Sequence, residues 1–176
     1  GIRYERFRSK LLEAGYEAER HPNVPGFLIL KNTVRIEDLP GYNQGWFVVQ
    51  DPSTSTAIRL LDLHEGHQVL DACAAPGGKT AAIAERLGDH GHVLAVDKTE
   101  QRLERMRDNV ARLNLGERVT VAQADVLDPR DLADAVNQQG ARRFDRILLD
   151  VPCSNTGVVR RRPDAKWRFD EKTLEN

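Results

Sequence analysis

The segment VLDACAAPGGKT, residues 69–80, joins a short apolar stretch to the start of a helix. Val69 and Leu70 predict a strand, and the residues from 79 to 87 predict a helix. Small residues in the turn between them let a ligand approach the backbone, and the helix that follows offers free N–H groups. The segment therefore predicts a ligand-binding loop between a strand and a helix.

The chain after residue 67 repeats this strand-to-helix order. Further strands are predicted at 93–96, 119–121 and 147–149, and further helices at 100–114 and 129–138. Apolar strands that do not alternate with polar residues, separated by helices, are typical of a parallel sheet covered on both faces. The sequence therefore predicts an α/β domain, which we place at residues 51–176.

The first fifty residues have a different pattern, which predicts a small α+β segment over 1–50. A helix is predicted over 3–14 and strands at 27–30 and 46–49, and Ser53 is predicted to cap the next helix. The apolar residues expected to point inward from the two helices are Tyr4, Phe7, Leu11 and Leu12 in the first, and Ala57, Ile58, Leu60 and Leu61 in the second.

The glycine-containing loop has three competing interpretations. A phosphate-binding P-loop requires Gly-x-x-x-x-Gly-Lys-Thr, but Cys73 stands where the first glycine is needed. A nicotinamide dinucleotide fingerprint requires Gly-x-Gly-x-x-Gly, of which only the pair Gly77-Gly78 is present. The third interpretation is a tight turn that binds nothing.

Acidic residues are expected at the carboxyl ends of four predicted strands: Asp71, Asp97, Asp125 and Asp150. Ligands of open α/β sheets bind beyond these ends, and an acidic residue about twenty positions after the loop, as Asp97 is, suits ribose hydroxyls. Several carboxylates would repel a pyrophosphate but suit a cationic nucleoside. S-adenosylmethionine, with its sulfonium, ammonium and ribose, fits this rim.

The composition narrows the class of protein further. The chain has 176 residues and no apolar run of the ~18 residues that a membrane span needs, so we expect a cytoplasmic protein without a membrane partner. Two cysteines, Cys73 and Cys153, are too few for a disulfide scaffold, and no spacing suggests a metal site.

The basic residues are clustered although the formal net charge is only −1. One cluster near the C-terminus contains an aromatic residue and consists of Arg160, Arg161, Arg162, Lys166 and Trp167. Such a cluster beside a catalytic rim suits an RNA backbone and a stacked base, whereas the alternative is an ordinary solvated face.

The last predicted strand leads into Asp150-Val151-Pro152-Cys153-Ser154. Pro152 restricts the turn, which would hold Asp150 and Cys153 beside the rim. A cysteine in such a place can be reactive, although a structural cysteine is the commoner case.

Three motifs together resemble the Sun family of RNA cytosine-5-methyltransferases. They are Ala74-Ala75-Pro76-Gly77-Gly78-Lys79-Thr80, Asp150-Val-Pro-Cys153-Ser154 and Arg161-Arg162-Pro163-Asp164-x-x-Trp167. The segment 41–51 also resembles the stretch before the catalytic domain of that family. The resemblance covers residues 40–168 and implies a Rossmann-like S-adenosylmethionine-dependent methyltransferase sheet that is incomplete at the C-terminus.

The resemblance also implies roles for individual residues. Cys153 would assist release of the methylated product, Asp150 would contact the target base, and Lys79 would lie near that base. Asp97 would bind the ribose of the cofactor and Asp125 its adenine amino group. The full set implied for cofactor binding is Cys73, Ala74, Ala75, Pro76, Gly77, Gly78, Lys79, Asp97, Asp125 and Asp150.

One departure from the family pattern concerns the nucleophile. In the family a second cysteine, in a Thr-Cys motif after a later strand, attacks the base, and these 176 residues contain no Thr-Cys. We interpret the chain as C-terminally truncated. A non-catalytic RNA-binding module is the alternative, and a methyltransferase for exocyclic amines is disfavoured because Asp-Val-Pro-Cys replaces Asn/Asp-Pro-Pro-Tyr/Phe.

Overall fold

The computed structural model describes residues 4–140 and 143–151. The helices are α1 (Tyr4–Glu13), α2 (Thr54–Leu60), α3 (Gly78–Leu87), α4 (Glu100–Arg112) and α5 (Pro129–Gln138), with a short 3₁₀ turn at Ile36–Asp38. The strands are β1 (Ala18–Arg20), β2 (Leu28–Leu30), β3 (Gln68–Ala72), β4 (His92–Asp97), β5 (Val119–Gln123) and β6 (Arg146–Leu149). None of the helices in these ranges is long and apolar enough to cross a membrane.

Four strands form a parallel sheet in the order β5-β4-β3-β6. Strands β4 and β5 are added to one side of β3, and β6 is added to the other side, so the strand order reverses at β3. In such sheets the ligand site lies at the carboxyl ends of the strands beside this reversal. The predicted α/β fold is confirmed, and each of its strands and helices lies within two residues of its predicted bounds.

Alternate residues of the strands form two separate cores. Val69, Val93 and Val119 face α2, α3 and α4, together with Ile83 and Leu103 of those helices. On the other face, Leu70, Ala72, Leu94 and Val96 pack against α5. Burial of these side chains, at roughly 1.5–3 kcal/mol each, is what fixes the register of the parallel strands.

Strand β6 departs from the predicted two-sided burial. Ile147 and Leu149 are each 59% exposed, while Leu148 packs into the core on the opposite face. Their neighbours in register are Leu70 and Ala72, which α5 covers. Among the described residues, α5 packs against β3, β4 and β5, and no described helix covers this face of β6.

The N-terminal segment has a small core of its own, formed by Leu11, Ala18 and Leu39. Strand β1 pairs with β2 in an antiparallel hairpin, and β1 was not predicted because two of its three residues are charged and exposed. Leu12 was predicted to point inward but is exposed.

The strand predicted at 46–49 is absent from the structure, which places no regular element there. Phe47 stacks on Phe7 of α1 with ring centroids 5.1 Å apart, and its carbonyl accepts a hydrogen bond from Arg112 at 3.2 Å. These side-chain and backbone contacts replace the strand partner that the apolar run suggested.

Two expectations for α2 are also wrong. Ser53 does not cap the helix through its side chain; instead its backbone N–H donates to Oδ1 of Asp51 at 2.9 Å. Leu60 is 81% exposed, and Ile58 is the only residue of this seven-residue helix that is fully buried.

Candidate functional site

The loop between β3 and α3 is attached to the neighbouring strand. The N–H groups of Cys73 and Ala74 both donate to the carbonyl of Val96, at 2.9 and 2.8 Å. Cys73 has a φ of 78° and Gly77 a φ of 96°, so the chain turns twice through the left-handed region. The positive φ of Gly77 favours glycine there, and a Cβ would also lie 3.0 Å from Cγ of Met106.

The loop ends at the start of α3, where the first N–H groups have no partner within the helix. Gln50 donates a hydrogen bond from its side-chain amide to the carbonyl of Gly78. This contact ties the connection that precedes α2 to the ligand-binding loop, a link that the sequence did not predict.

Asp97 ends β4 and is only 3% exposed. Its carboxylate accepts hydrogen bonds from the N–H of Ala75 at 3.3 Å and from the N–H of Thr99 at 3.1 Å. The guanidinium of Arg102 lies 3.4 Å from the same carboxylate and donates to the carbonyl of Ala75 at 2.7 Å. Asp97 and Arg102 therefore hold the loop in place, and this role of Arg102 was missed by the sequence analysis.

Asp71 does not stand at the end of its strand, as predicted, but one residue earlier, inside β3 and buried. Its Oδ2 accepts a hydrogen bond of 2.6 Å from the hydroxyl of Thr80 in α3. Burial raises the pKa of Asp71 to about 6, although the Thr80 hydrogen bond and the charge of Lys79 oppose this rise. Asp71 thus joins β3 to the first turn of α3 beneath the loop.

The raised pKa of Asp71 predicts how stability depends on pH. The folded state favours the protonated carboxyl of Asp71. Asp71 therefore stabilises the fold fully below the pKa that it has in the unfolded chain, and this stabilisation is lost as the pH rises through about 6. We expect the free energy of unfolding of the wild type, relative to Asp71→Asn, to fall by about 3 kcal/mol between about pH 4 and pH 7. Urea unfolding of both proteins across this range measures the difference, and a difference that does not change with pH would contradict the assignment.

The remaining acidic residues of the rim are paired with lysines. Lys79, at the start of α3, lies 2.5 Å from Asp150, which follows β6. Asp125 comes two residues after the end of β5 and lies 2.7 Å from Lys98, whose hydrogen bond holds the pKa of Asp125 below its usual value. The structure therefore brings Lys79, Asp97, Asp125 and Asp150 to the carboxyl ends of the parallel strands, as the sequence predicted.

Residues 58–176 match the family model described as 16S rRNA methyltransferase RsmB/F. The chain belongs to the RsmB/F family. This result confirms the resemblance seen in the Ala-Ala-Pro-Gly-Gly-Lys-Thr and Asp-Val-Pro-Cys motifs.

Relatives in the RsmB/F family are 42% and 46% identical to this chain over the aligned residues. Ribosomal RNA small subunit methyltransferase B of Serratia proteamaculans is 46% identical over 155 residues, which are 88% of this chain and 34% of that protein. The chain therefore spans about a third of the length of such relatives.

Solved structures have the same fold. The crystal structure of PH0851 superimposes with a TM-score of 0.84 at 30% identity, over 99% of this chain and 38% of that one. NSun6 from Pyrococcus horikoshii, solved with SFG, gives a TM-score of 0.57 at 33% identity, over 69% of this chain and 29% of that one.

Several residues that the family resemblance singled out lie outside the described residues. They are Cys153 and the basic cluster Arg160, Arg161, Arg162, Lys166 and Trp167.

The other cysteine, Cys73, is a free thiol in the loop. Burial, and then the charges of Asp97 and Asp71, raise its pKa, so Cys73 is suited to packing rather than to nucleophilic attack. Within the described ranges, no group of three or more His, Cys, Asp or Glu residues could hold a metal ion.

Proposed function

We propose that this chain is part of an enzyme that transfers the methyl group of S-adenosylmethionine to carbon 5 of a cytosine in small-subunit ribosomal RNA. The observation that carries the proposal is the loop held by Asp97 and Arg102 at the strand reversal, in a chain that belongs to the RsmB/F family. The rim of the sheet and the fold both agree with this chemistry.

The residues of the loop fit S-adenosylmethionine. Gly77 leaves the backbone open to close approach, and the start of α3 offers N–H groups to a carboxylate such as that of the methionine part. The carboxylates of Asp97, Asp125 and Asp150 offer acceptors to the ribose, adenine and ammonium groups, and each is balanced by a cation of the chain. Residues 73–79 would hold the methionine part, Asp97 the ribose and Asp125 the adenine amino group.

Catalysis at carbon 5 of cytosine requires activation of the base, because this carbon is a poor nucleophile. In the family, a cysteine thiolate adds to carbon 6 of the base. This addition raises the electron density at carbon 5. S-adenosylmethionine, when bound, supplies the methyl group that carbon 5 takes. A base then removes the carbon-5 proton, and the thiol leaves.

The chain's own residues position the target base in this scheme. The base must leave its stack to enter the site. Asp150 would then contact its ring nitrogen 3 and amino group. Lys79 lies 2.5 Å from the Asp150 carboxylate, and this ion pair would hold the carboxylate in position. Cys153 would assist release of the product.

The proposal extends to the parts of the site that the described residues do not include. The basic cluster from Arg160 to Trp167 would bind RNA, the segment 1–50 would help to present it, and the enzyme would act in the cytoplasm on ribosomal RNA. The nucleophilic cysteine would lie in the part of the relatives' sequence that this chain does not span.

A non-catalytic RNA-binding module is the second candidate, favoured by one observation: the 176 residues contain no Thr-Cys. Methyl transfer separates the two candidates. A form of the chain extended past Asn176 to the length of its relatives would be incubated with unmodified small-subunit ribosomal RNA and tritiated S-adenosylmethionine. We expect label in 5-methylcytidine after digestion to nucleosides. Label on an exocyclic amine, or RNA binding without any transfer, would contradict the proposed reaction.

A further inference from the structure

A pocket of about 420 Å³ lies away from the carboxyl-end rim, where α1, the turn at 44–46 and the connection between α4 and β5 meet. Its polar and aromatic lining consists of Arg6, Gln44, Trp46, Asn114 and Arg118. We call it the amino-end pocket, because Arg118 directly precedes the first residue of β5.

The walls of the amino-end pocket are held to α4 by specific contacts. Arg112 donates hydrogen bonds from Nη1 to the carbonyls of Tyr42, at 2.9 Å, and Phe47, at 3.2 Å. Its guanidinium also lies 4.2 Å from the centre of the Tyr42 ring. Gly45 packs directly against the carbonyl of Arg112, with no room for a Cβ. The turn that carries Gln44 and Trp46 is thereby fixed relative to α4.

The lining of the pocket has positive charge and no carboxylate. The nearest acidic partner of Arg118 is Asp89, at 4.0 Å, and the side chain of Asp89 is 95% exposed. An ion pair this long and this solvated neutralises little of the arginine charge. Two guanidinium groups, which bind phosphate oxygens well, therefore remain available beside one indole and two amide side chains.

This combination is suited to a nucleotide. Arginines bind the phosphate, an indole stacks on a base, and amide groups bond to the base edges, as in many single-stranded RNA sites. Trp46 is partly exposed and is held by an edge-to-face contact with Phe7, with ring centroids 6.5 Å apart. Its ring is thus positioned by the fold before any ligand binds.

The distance between the pocket and the carboxyl-end rim indicates which nucleotide of the RNA the pocket would bind. Strand β5 has five residues and spans about 16 Å, and the pocket and the rim lie at its opposite ends. We propose that the amino-end pocket binds a nucleotide that flanks the target cytosine, with Arg6 and Arg118 on its phosphate and Trp46 stacked on its base. The choice of RNA as the ligand rests on the proposed function.

The test compares two double variants of the full 176-residue chain. Arg6→Gln with Arg118→Gln removes the charge of the pocket. Arg59→Gln with Arg143→Gln removes the same charge from two exposed arginines at other places in the fold, and is the matched control. Binding of a fluorescein-labelled single-stranded RNA of mixed sequence is measured by anisotropy at several salt concentrations. We expect the pocket variant to bind about tenfold more weakly and to lose about 0.7 from the salt slope, because both arginines contact one phosphate, whereas the control changes little.

A second measurement keeps the test valid if the pocket variant folds poorly. In a Trp167→Phe background, Trp46 is the only tryptophan, and stacking on a base should quench its fluorescence when the same RNA is added. Equal affinities of the two double variants, or unquenched Trp46 in a chain that binds RNA, would overturn the pocket but leave the proposed function intact. No RNA binding by the wild type would overturn the pocket, whereas the methyl-transfer assay on the extended chain decides the proposed function.

Discussion

Asp97→Ala should weaken the binding of S-adenosylmethionine by roughly tenfold to a hundredfold. A hydrogen bond to a charged group is worth about 1.5–3 kcal/mol, which corresponds to a factor of this size. The substitution removes the proposed ribose acceptor. It also removes the carboxylate that accepts the N–H of Ala75 and pairs with Arg102. Isothermal titration calorimetry on the 176-residue chain measures the change.

Two further variants separate the ribose contact from the tethering of the loop. Arg102→Ala breaks the hydrogen bond to the Ala75 carbonyl but leaves the Asp97 carboxylate in place, so it should cost less affinity than Asp97→Ala. Asp89→Ala removes a side chain that is 95% exposed and should leave the affinity unchanged. An Asp97→Ala protein that binds the cofactor as tightly as the wild type would remove the ribose assignment.

Cys153→Ala should cause a covalent protein–RNA complex to accumulate in the form of the chain extended past Asn176. If Cys153 assists release of the methylated base, its loss leaves the RNA attached to the nucleophilic cysteine. A denaturing gel should then show a slowly migrating band that needs both RNA and S-adenosylmethionine, where the wild type shows almost none.

Cys73→Ala provides the comparison for this experiment, since both variants remove one of the two thiols of the 176 residues. Burial raises the pKa of Cys73 and the described contacts give it a place in the loop, so no band is expected from its replacement. Absence of the band from the Cys153→Ala protein, with RNA and cofactor both bound, would count against the role in product release.

The α/β part of the fold could be predicted because its pattern is strong. The strands around Val69 and Val93 are buried on both faces, and the helices between the strands are amphipathic. Asp97 ends β4 and Asp150 directly follows β6, so their meeting at one edge of the sheet followed from the topology. The two lysine partners, Lys79 and Lys98, depend on side-chain directions that a sequence does not give.

The N-terminal segment was harder to predict because long-range contacts determine it. Residues 46–49 have the composition of a strand, yet the carbonyl of Phe47 is bound by Arg112, 65 positions away. The polar residues Glu19 and Arg20 form a strand because Leu28–Leu30 pairs with them. Burial of Asp71 was not predicted for a related reason. The hydrogen bond that stabilises this acidic residue inside β3 comes from Thr80 on the following helix.

Helix α4 links the loop between β3 and α3 to the amino-end pocket. Arg102 near its start holds the loop, and Arg112 at its end holds the turn that carries Trp46. Ten residues of α-helix measure about 15 Å, and adding or deleting one residue would rotate one arginine about 100° relative to the other. If the loop binds S-adenosylmethionine and the pocket binds RNA, as proposed, the length of this single helix sets the spacing between the methyl donor and the flanking nucleotide.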